Sequence, residues 1–464
     1  MFDHQNIRNQ IQTLWQRSRD SHLKIGVTGL SGSGKTAFIT GLIHQLEHAV
    51  TNAKLPHWHV AFHHRLLGVK QTPQLHPQIP SFGYGAALKQ LTLTPPQWPE
   101  STRGISEIRL EIRYRSTTLL KQKLDGDYSR LLIDLVDYPG EWLLDLPLLN
   151  LSYQQWSEQV LSQLQADSIR LELAKAWMSS SWSNSTNEQE IDQSISEAAK
   201  QYTDYLWVCK KDYGYSSIQP GRFILPGEFA DAPLLRFIPW VWDESEKEKH
   251  SKIYAVMEKR YEAYKEHVVR HFYHTHFSSF DRQIVLVDAL TPLSNGPMVM
   301  KDMQFTLTDL LQSFHYGKSN WFRRMFAPKI DRLLFAATKV DHVTPEQHSN
   351  LLNLLQELVK QSSGHAKFEG IDVACMAISS IKASEYHQVI FEGKPLSVLH
   401  GQNINHDEVA LFPGVIPSSL SDISIQPERL NIPVLQPPQL KLNQMYSHIR
   451  VDQVLEFLTG DKLL

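Results

Sequence analysis

The chain has 464 residues, 42% hydrophobic and 20% charged, with a formal net charge of −3, an ordinary globular composition with room for two or three domains. A charge so near balance argues against a general nucleic-acid binder, which needs a concentrated basic face to release counterions. Two cysteines, Cys209 and Cys375, give no disulfide framework and suit a reducing compartment, and no run of about 18 apolar residues offers a membrane span.

The opening stretch MFDHQNIRNQIQTLWQRSRD is polar and amphipathic with no apolar signal core, which points to the cytoplasm and leaves peripheral attachment at the inner membrane open. The run HLKIGV at 22–27 predicts a buried strand, and Phe38, Ile39, Leu42, Ile43 and Leu46 predict the helix that follows it. Residues 52–103 carry much Pro, His and Gln and predict mostly loop with short elements. ISEIRLEIRYRS at 105–116 alternates as a half-exposed strand, and LLIDLVD at 131–137 is a second buried strand.

From about Leu151 the pattern turns helical. Trp156, Val160, Leu161 and Leu164 share one face, a Ser/Asn-rich break follows at 179–190, and a stripe from Ile253 to Phe272 runs about five turns. Strand patterns return at QIVLVDA (283–289), LLFAAT (333–338) and VACMAIS (373–379), with helices between them. The Pro-rich stretch 412–438 predicts loop, and 445–458 a last helix. Strands alternating with helices imply an α/β fold, a mostly parallel sheet with helices on both faces. Residues 1–150 and 281–464 then make one discontinuous α/β domain, and 151–280 a helical insertion domain.

Chemistry enters at GLSGSGKT, residues 29–36, which matches G-x-x-x-x-G-K-[ST] in full. Its glycines let backbone N–H groups turn inward around an anion, and the next helix adds its positive N-terminal end. Lys35 reaches the β- and γ-phosphates in such loops, and Thr36 coordinates Mg²⁺. The competing assignment, a plain glycine-rich turn, is weaker because a strand precedes the loop and a helix follows.

The base is decided downstream. In Asp137-Tyr-Pro-Gly140, Asp137 is placed to hold Mg²⁺ through water and the Gly140 amide to face a γ-phosphate. Thr338-Lys339-Val-Asp341 closes another apolar strand; a carboxylate there accepts hydrogen bonds from guanine N1 and N2, which adenine cannot donate, while the Lys339 stem lies over the base. Ser380-Ile381-Lys382 offers a backbone amide to guanine O6. Thr102 sits where a Mg²⁺-sensing threonine is expected; by resemblance to Gα-type GTP-binding proteins, whose arginine lies three residues before that threonine, Arg103 is a candidate internal arginine finger, and Glu141, where Ras-type proteins have glutamine, is a candidate to orient water. A carboxylate at 141 also repels a γ-phosphate, so slow hydrolysis is expected. Trp98 is weighed between stacking near the base or ribose and an ordinary core position.

These motifs, in this order, resemble those of GTP-binding P-loop proteins of the Ras and Gα kind, with Thr338 where Asn is usual and Ile381 where Ala is usual. GVTGLSGSGKTAFIT, TRGISEIRLEIRY and DYPGEWLLDLPLL are similar, closer still, to the YcjX family of stress-inducible bacterial P-loop proteins associated with the phage-shock response. The resemblance runs along essentially the whole chain and implies a nucleotide-hydrolysing domain with an extra helical part. That part follows the Asp137 motif here, whereas Gα places its helical domain before the threonine, so a lid over the nucleotide is not implied.

The expected nucleotide contacts are Ser31, Gly32, Ser33, Gly34, Lys35, Thr36 and Ala37, then Trp98, Ser101, Thr102, Arg103 and Gly140, then Lys339, Asp341, His342, Ser380 and Ile381. Thr36, Thr102 and Asp137 are the expected Mg²⁺ ligands; Lys35, Arg103 and Glu141 carry catalysis, with GTP as substrate and GDP as product. An ATPase of the same fold, and a nucleotide-dependent membrane or stress scaffold with negligible turnover, are the alternatives. A protein partner, unidentified, at the inner-membrane surface is compatible with either. The histidines of HVVRHFYHTH (267–276) have helix-face spacing but no cysteine or acidic companion, so a helix-end surface or core role outweighs a metal site. The apolar run from Trp142 to Leu149 is expected to be core before it is a partner surface.

Overall fold

The structure, a computed structural model, describes residues 21–30, 32–51, 55–102, 104–117, 128–180, 182, 187–313, 330–368, 370–425, 430–440 and 444–464. The amphipathic opening stretch, Ser31 and Arg103 lie outside the described residues. Strands β1 (Ser21–Gly29), β2 (Leu66–Thr72), β3 (Ser106–Tyr114), β4 (Ser129–Asp137), β5 (Arg282–Val287), β6 (Arg332–Ala337) and β7 (Asp372–Ala377) form one sheet ordered β2-β3-β4-β1-β5-β6-β7. The pairings β1–β4, β1–β5, β5–β6 and β6–β7 are parallel, and β2 and β3 add an antiparallel edge. The sheet is mostly parallel, as the alternation of strands and helices implies.

Nine helices of eight residues or more flank it among the described residues: α1 (Lys35–Glu47), α2 (Tyr84–Leu91), α3 (Tyr153–Ala166), α4 (Ser168–Met178), α5 (Glu188–Lys211), α6 (Ser251–Tyr264), α7 (Pro297–Ser313), α8 (His348–Phe368) and α9 (Val451–Thr459). The two-residue period of a strand sorts its side chains to opposite faces. In β5, Ile284 and Leu286 join Val27, Leu42 of α1 and Leu455 of α9 in one core. Val285 and Val287 join Leu307 of α7 and Leu354 of α8 in the other. A strand apolar on both faces must be central, and β5 is buried at every position.

The segment between β4 and β5 is helical, and each start has a local cause. Ser152 and Gln155 close a capping box on α3, the Asp167 carboxylate caps α4 and the Asn187 side chain caps α5. The predicted stripe from Ile253 to Phe272 is continuous: α6 runs into a π-helical stretch, Lys265–Arg270, and then His271–Thr275. The core of this segment, with Trp156, Tyr202 and Tyr261, is the same cluster that lines one face of the sheet. Trp142, Leu143, Leu144, Leu146 and Leu148 are buried in it, the core role expected of that run.

Four elements depart from the sequence-based expectation. β2 is longer than the short elements expected in the mostly loop stretch 52–103; it is an edge strand with an irregular register at Leu66/Gly68, and its burial pattern shows no clean alternation. β3 is more covered than a half-exposed strand, because its charged face is ion-paired. Arg109 clasps the buried Asp134 with two bonds of 2.6 and 2.7 Å. Burial works against ionising Asp134, yet the hydrogen bonds from Arg109 and His22 hold its pKa at about 2. A second sheet, β8 (Glu385–Phe391), β9 (Lys394–Gln402) and β10 (Glu408–Leu411), was not anticipated. The last helix starts at Val451 and not at 445, because Ser379 and Ile449 first exchange two backbone hydrogen bonds of 3.1 and 2.7 Å.

Candidate functional site

β1, β5 and β6 end on one edge of the sheet, and a cavity of about 950 Å³ opens there. Open α/β sheets bind ligands beyond the carboxyl ends of their strands. After β1 the chain turns tightly: the Leu30 amide donates to Leu286 O at 3.1 Å and the Ser33 amide to Leu30 O at 3.1 Å. Gly32 and Gly34 have φ of +74° and +70°, values that a side chain disfavours. Gly34 precedes α1 with no side-chain cap, so the first amides of α1 have no acceptor within the helix and are free to meet an anion.

Lys35 reaches back across the loop. Its ammonium donates to Asp137 Oδ1 and, at 2.9 Å, to Tyr138 O. The other oxygen of Asp137 is buried with no hydrogen-bond partner among the described residues. Thr36 Oγ1 lies 3.3 Å from Thr102 Oγ1. An orphaned carboxylate oxygen and a pair of neighbouring hydroxyls are donors of the hard oxygen kind that Mg²⁺ takes. Gly140 stands against the loop so closely that a Cβ there would lie 2.1 Å from Gly29 O.

The opposite wall comes from β6 and from the turn after β7. Lys339 adopts φ +59° and donates to Asp288 Oδ2 at 2.6 Å. Asp341 is buried; its Oδ2 accepts the Ala383 amide at 2.8 Å, and its carbonyl accepts the Ser384 hydroxyl. His342 is buried beside it and faces the cavity. Ser380 donates to Ala37 O at 3.3 Å and packs on Gly41 of α1, where a Cβ would approach Ser380 O to 3.0 Å. The Ile381 side chain packs with Leu91 and Tyr446 while the residue still lines the cavity. Trp98 Nε1 donates to Leu435 O at 2.7 Å, which ties the 98–102 stretch to the 430–435 segment.

The cavity therefore gathers Gly32, Ser33, Gly34, Lys35, Thr36, Ala37, Trp98, Ser101, Thr102, Gly140, Glu141, Lys339, Asp341, His342, Ser380 and Ile381. Asp137 is absent from the lining and meets the site through Lys35. Of the residues picked from sequence, Ser31 and Arg103 lie outside the described residues.

Sequence reasoning missed four contributors. Asp288 directly follows β5 as Asp137 closes β4, and an acid at the end of an apolar run is a signal that could have found it. Lys210 and Trp207 of α5 line the cavity, and Lys210 pairs with Glu141 at 2.5 Å. Nothing local marks Lys210, since its partner lies 69 positions away. The 430–435 segment lines the cavity from within a stretch that predicts only loop. The histidines of 267–276 assemble no ligand set: among the described residues no three His, Cys, Asp or Glu side chains converge. His276 is held at a pKa of about 4 by burial and by Lys24. No helix of the described residues is long and apolar enough to cross a membrane.

Two comparisons bear on this geometry. The sequence model of the YcjX-like family, DUF463, matches residues 23–463. A protein of Escherichia coli (strain K12) called "Ras-like GTPase YcjX" is 42% identical over 466 residues, covering 98% of this chain and 99% of its own. A protein of the same name from Shewanella oneidensis (strain MR-1) is 42% identical over 481 residues, covering 98% of each.

Proposed function

The chain belongs to the YcjX-like family, and from that premise we propose that it binds and hydrolyses GTP in a Mg²⁺-dependent cycle. The observation that carries the reading is one cavity in which the 29–36 loop, Gly140, the Lys339–His342 turn and Ser380–Ile381 all meet. The relatives named Ras-like GTPases lend it the nucleotide.

In this reading the triphosphate lies along the loop, with Lys35 leaving Asp137 for the β- and γ-phosphates. Asp341 accepts from guanine N1 and N2, and a backbone amide near Ser380 donates to O6. Thr36, Thr102 and Asp137 would hold Mg²⁺, which neutralises charge on the phosphates. Water forms a bond to the γ-phosphorus as the bond to the β,γ-bridging oxygen breaks; the electron pair leaves with GDP, and the water proton ends on the released phosphate. Glu141 is the candidate to orient that water. Its carboxylate is paired with Lys210.

The discontinuous unit of 1–150 and 281–464 would carry the nucleotide, supported by all seven strands of the large sheet lying outside 151–280. The helical segment 151–280 would pass the nucleotide state to a partner protein. A role in the bacterial stress response, in the cytoplasm or at the inner-membrane surface, rests on the family resemblance.

Competition of GTP and ATP for a bound fluorescent nucleotide, followed by single-turnover phosphate release, tests the reading. We expect GTP to displace the probe at least about tenfold better than ATP and phosphate to be released slowly. Equal displacement favours an ATPase or a non-selective site, and binding without release favours a scaffold. Addition of liposomes tests whether a membrane surface restores turnover. In Glu141→Ala, an unchanged single-turnover rate removes Glu141 from the mechanism.

A further inference from the structure

We propose that Lys210 is a γ-phosphate-contacting cation delivered by the helical segment, and that Glu141 holds it in place until the triphosphate arrives. The proposal rests on the GTPase reading above.

Three lysines of the cavity wall are paired with acids: Lys35 with Asp137, Lys339 with Asp288 at 2.6 Å, and Lys210 with Glu141 at 2.5 Å. The first two pairs belong to strand ends and to the loop. The third is different, because its lysine comes from the end of α5, outside the sheet. A cation in the last turn of a helix is favoured by the helix dipole, so Lys210 is stable there before any ligand binds. Trp207, one turn earlier and at the cavity wall, places its ring 5.6 Å from the Lys210 ammonium.

Glu141 is covalently next to Gly140, the residue that abuts Gly29 O. Its backbone is held from the other side, since a Cβ on Gly221 would lie 2.0 Å from Glu141 O. The Lys210 ammonium is therefore held by the side chain that follows directly on the amide expected to face the γ-phosphate. The two side chains are only 14% and 12% exposed, so the pair is screened from water and sensitive to an incoming charge. A lysine that leaves a carboxylate for a phosphate oxygen exchanges one charge-assisted hydrogen bond for another. In hydrolysis as written above, Lys210 would neutralise charge on the equatorial γ-oxygens while Glu141, released, faces the attacking water.

A fixed structural clamp is the rival account, and a double-mutant cycle separates the two. Lys210→Met is made in the parent and in a Glu141→Gln background, with Lys210→Arg as the conservative control. Single-turnover GTP hydrolysis is measured together with affinity for GDP and for a non-hydrolysable GTP analogue. If Lys210 contacts the γ-phosphate, its loss slows hydrolysis about 10²-fold in both backgrounds, weakens the analogue, leaves GDP within about twofold, and is rescued largely by Arg. If Lys210 serves only to neutralise Glu141, Lys210→Met costs nothing once Glu141 is Gln, and the proposal is overturned. Retained GDP affinity shows that each variant is folded; should Lys210→Met lose GDP, Lys210→Gln is measured in its place against the same criteria. Parent protein that hydrolyses no GTP overturns the functional reading instead, an outcome distinct from an intact parent with an indifferent Lys210.

Discussion

Residues 29, 30 and 32–36 and the segment 137–151, of which 139–141 line the same cavity, form two adjoining walls that meet at Gly140, and they are built by opposite means. The first wall closes on itself: Ser33 bonds Leu30, Phe38 bonds Gly34, and two glycines at positive φ make the turn. The second wall takes its shape from residues 69 to 119 positions away. Trp142 Nε1 donates to Leu225 O at 3.0 Å, Gln219 donates to Leu144 O, and the Tyr261 hydroxyl bonds Leu151 O at 3.1 Å. Asp145 accepts the Gly221 amide at 2.8 Å and the Tyr264 hydroxyl at 2.5 Å, while the Arg222 guanidinium sits over Trp142, 3.3 Å from the ring centre. The loop is a local device, whereas the segment after Asp137 is gripped by the helical segment. A displacement of Gly140 by a ligand must therefore be felt at 207–265.

The largest effect should come where the walls touch. Gly140→Ala forces a Cβ to 2.1 Å from a backbone oxygen that no rotamer change can relieve. We expect a loss of nucleotide affinity of about 10²-fold, or of stability by about 3 kcal/mol, read by calorimetry and by urea unfolding. Parent-like behaviour would show that the walls are not in backbone contact.

Gly221→Ala sharpens the comparison, because its clash of 2.0 Å with Glu141 O strikes the second wall alone. We expect about 2 kcal/mol of destabilisation and slower single-turnover hydrolysis, with GDP affinity nearly unchanged. A matching loss of GDP affinity would mean that the two walls are not separable.

Asp145 gives the second wall a pH signature. Burial raises its pKa from 3.8 to about 7, partly opposed by the Tyr264 hydroxyl and the Gly221 amide. The folded protein then keeps a proton that the unfolded chain releases above about pH 4. The stability this proton contributes is complete at acid pH and is lost as pH rises through about 7. Asp145→Asn, neutral throughout, should gain melting temperature relative to the parent between pH 5 and pH 8. A constant difference across that range would mean that Asp145 is ionised in the fold.

The smallest effect should be Trp98→Phe, which keeps the ring and loses the 2.7 Å bond to Leu435 O. A cost of about 1 kcal/mol in thermal unfolding is expected. A loss of nucleotide affinity larger than that of stability would favour stacking on the nucleotide over a tie to the 430–435 segment.

The legible parts of the fold share a property: their apolar pattern is dense enough to name their environment. β1, β4, β5 and β6 were readable because central strands are apolar on both faces, and β7, an edge strand, because its own run VACMA is apolar. β2 and the β8–β10 sheet were not, because most of their side chains are half-buried or exposed. One cue was present and unused. Glu392 and Gly393, both at positive φ, join β8 to β9 in a two-residue hairpin turn, and a glycine after a polar residue between strand-like runs marks such turns.

The site divides along the same line. By itself the sequence determined the phosphate loop, whose glycines, lysine and threonine act within eight residues, and the acids that close apolar strands. Backbone geometry at that range follows from local residue type. Only the tertiary structure decided what faces the loop. Pairing Lys210 with Glu141, Asp288 with Lys339, and Gly221 with the backbone of Glu141 depends on contacts between distant elements. Those contacts exist only after two cores have packed on the sheet, and no spacing along the chain encodes them.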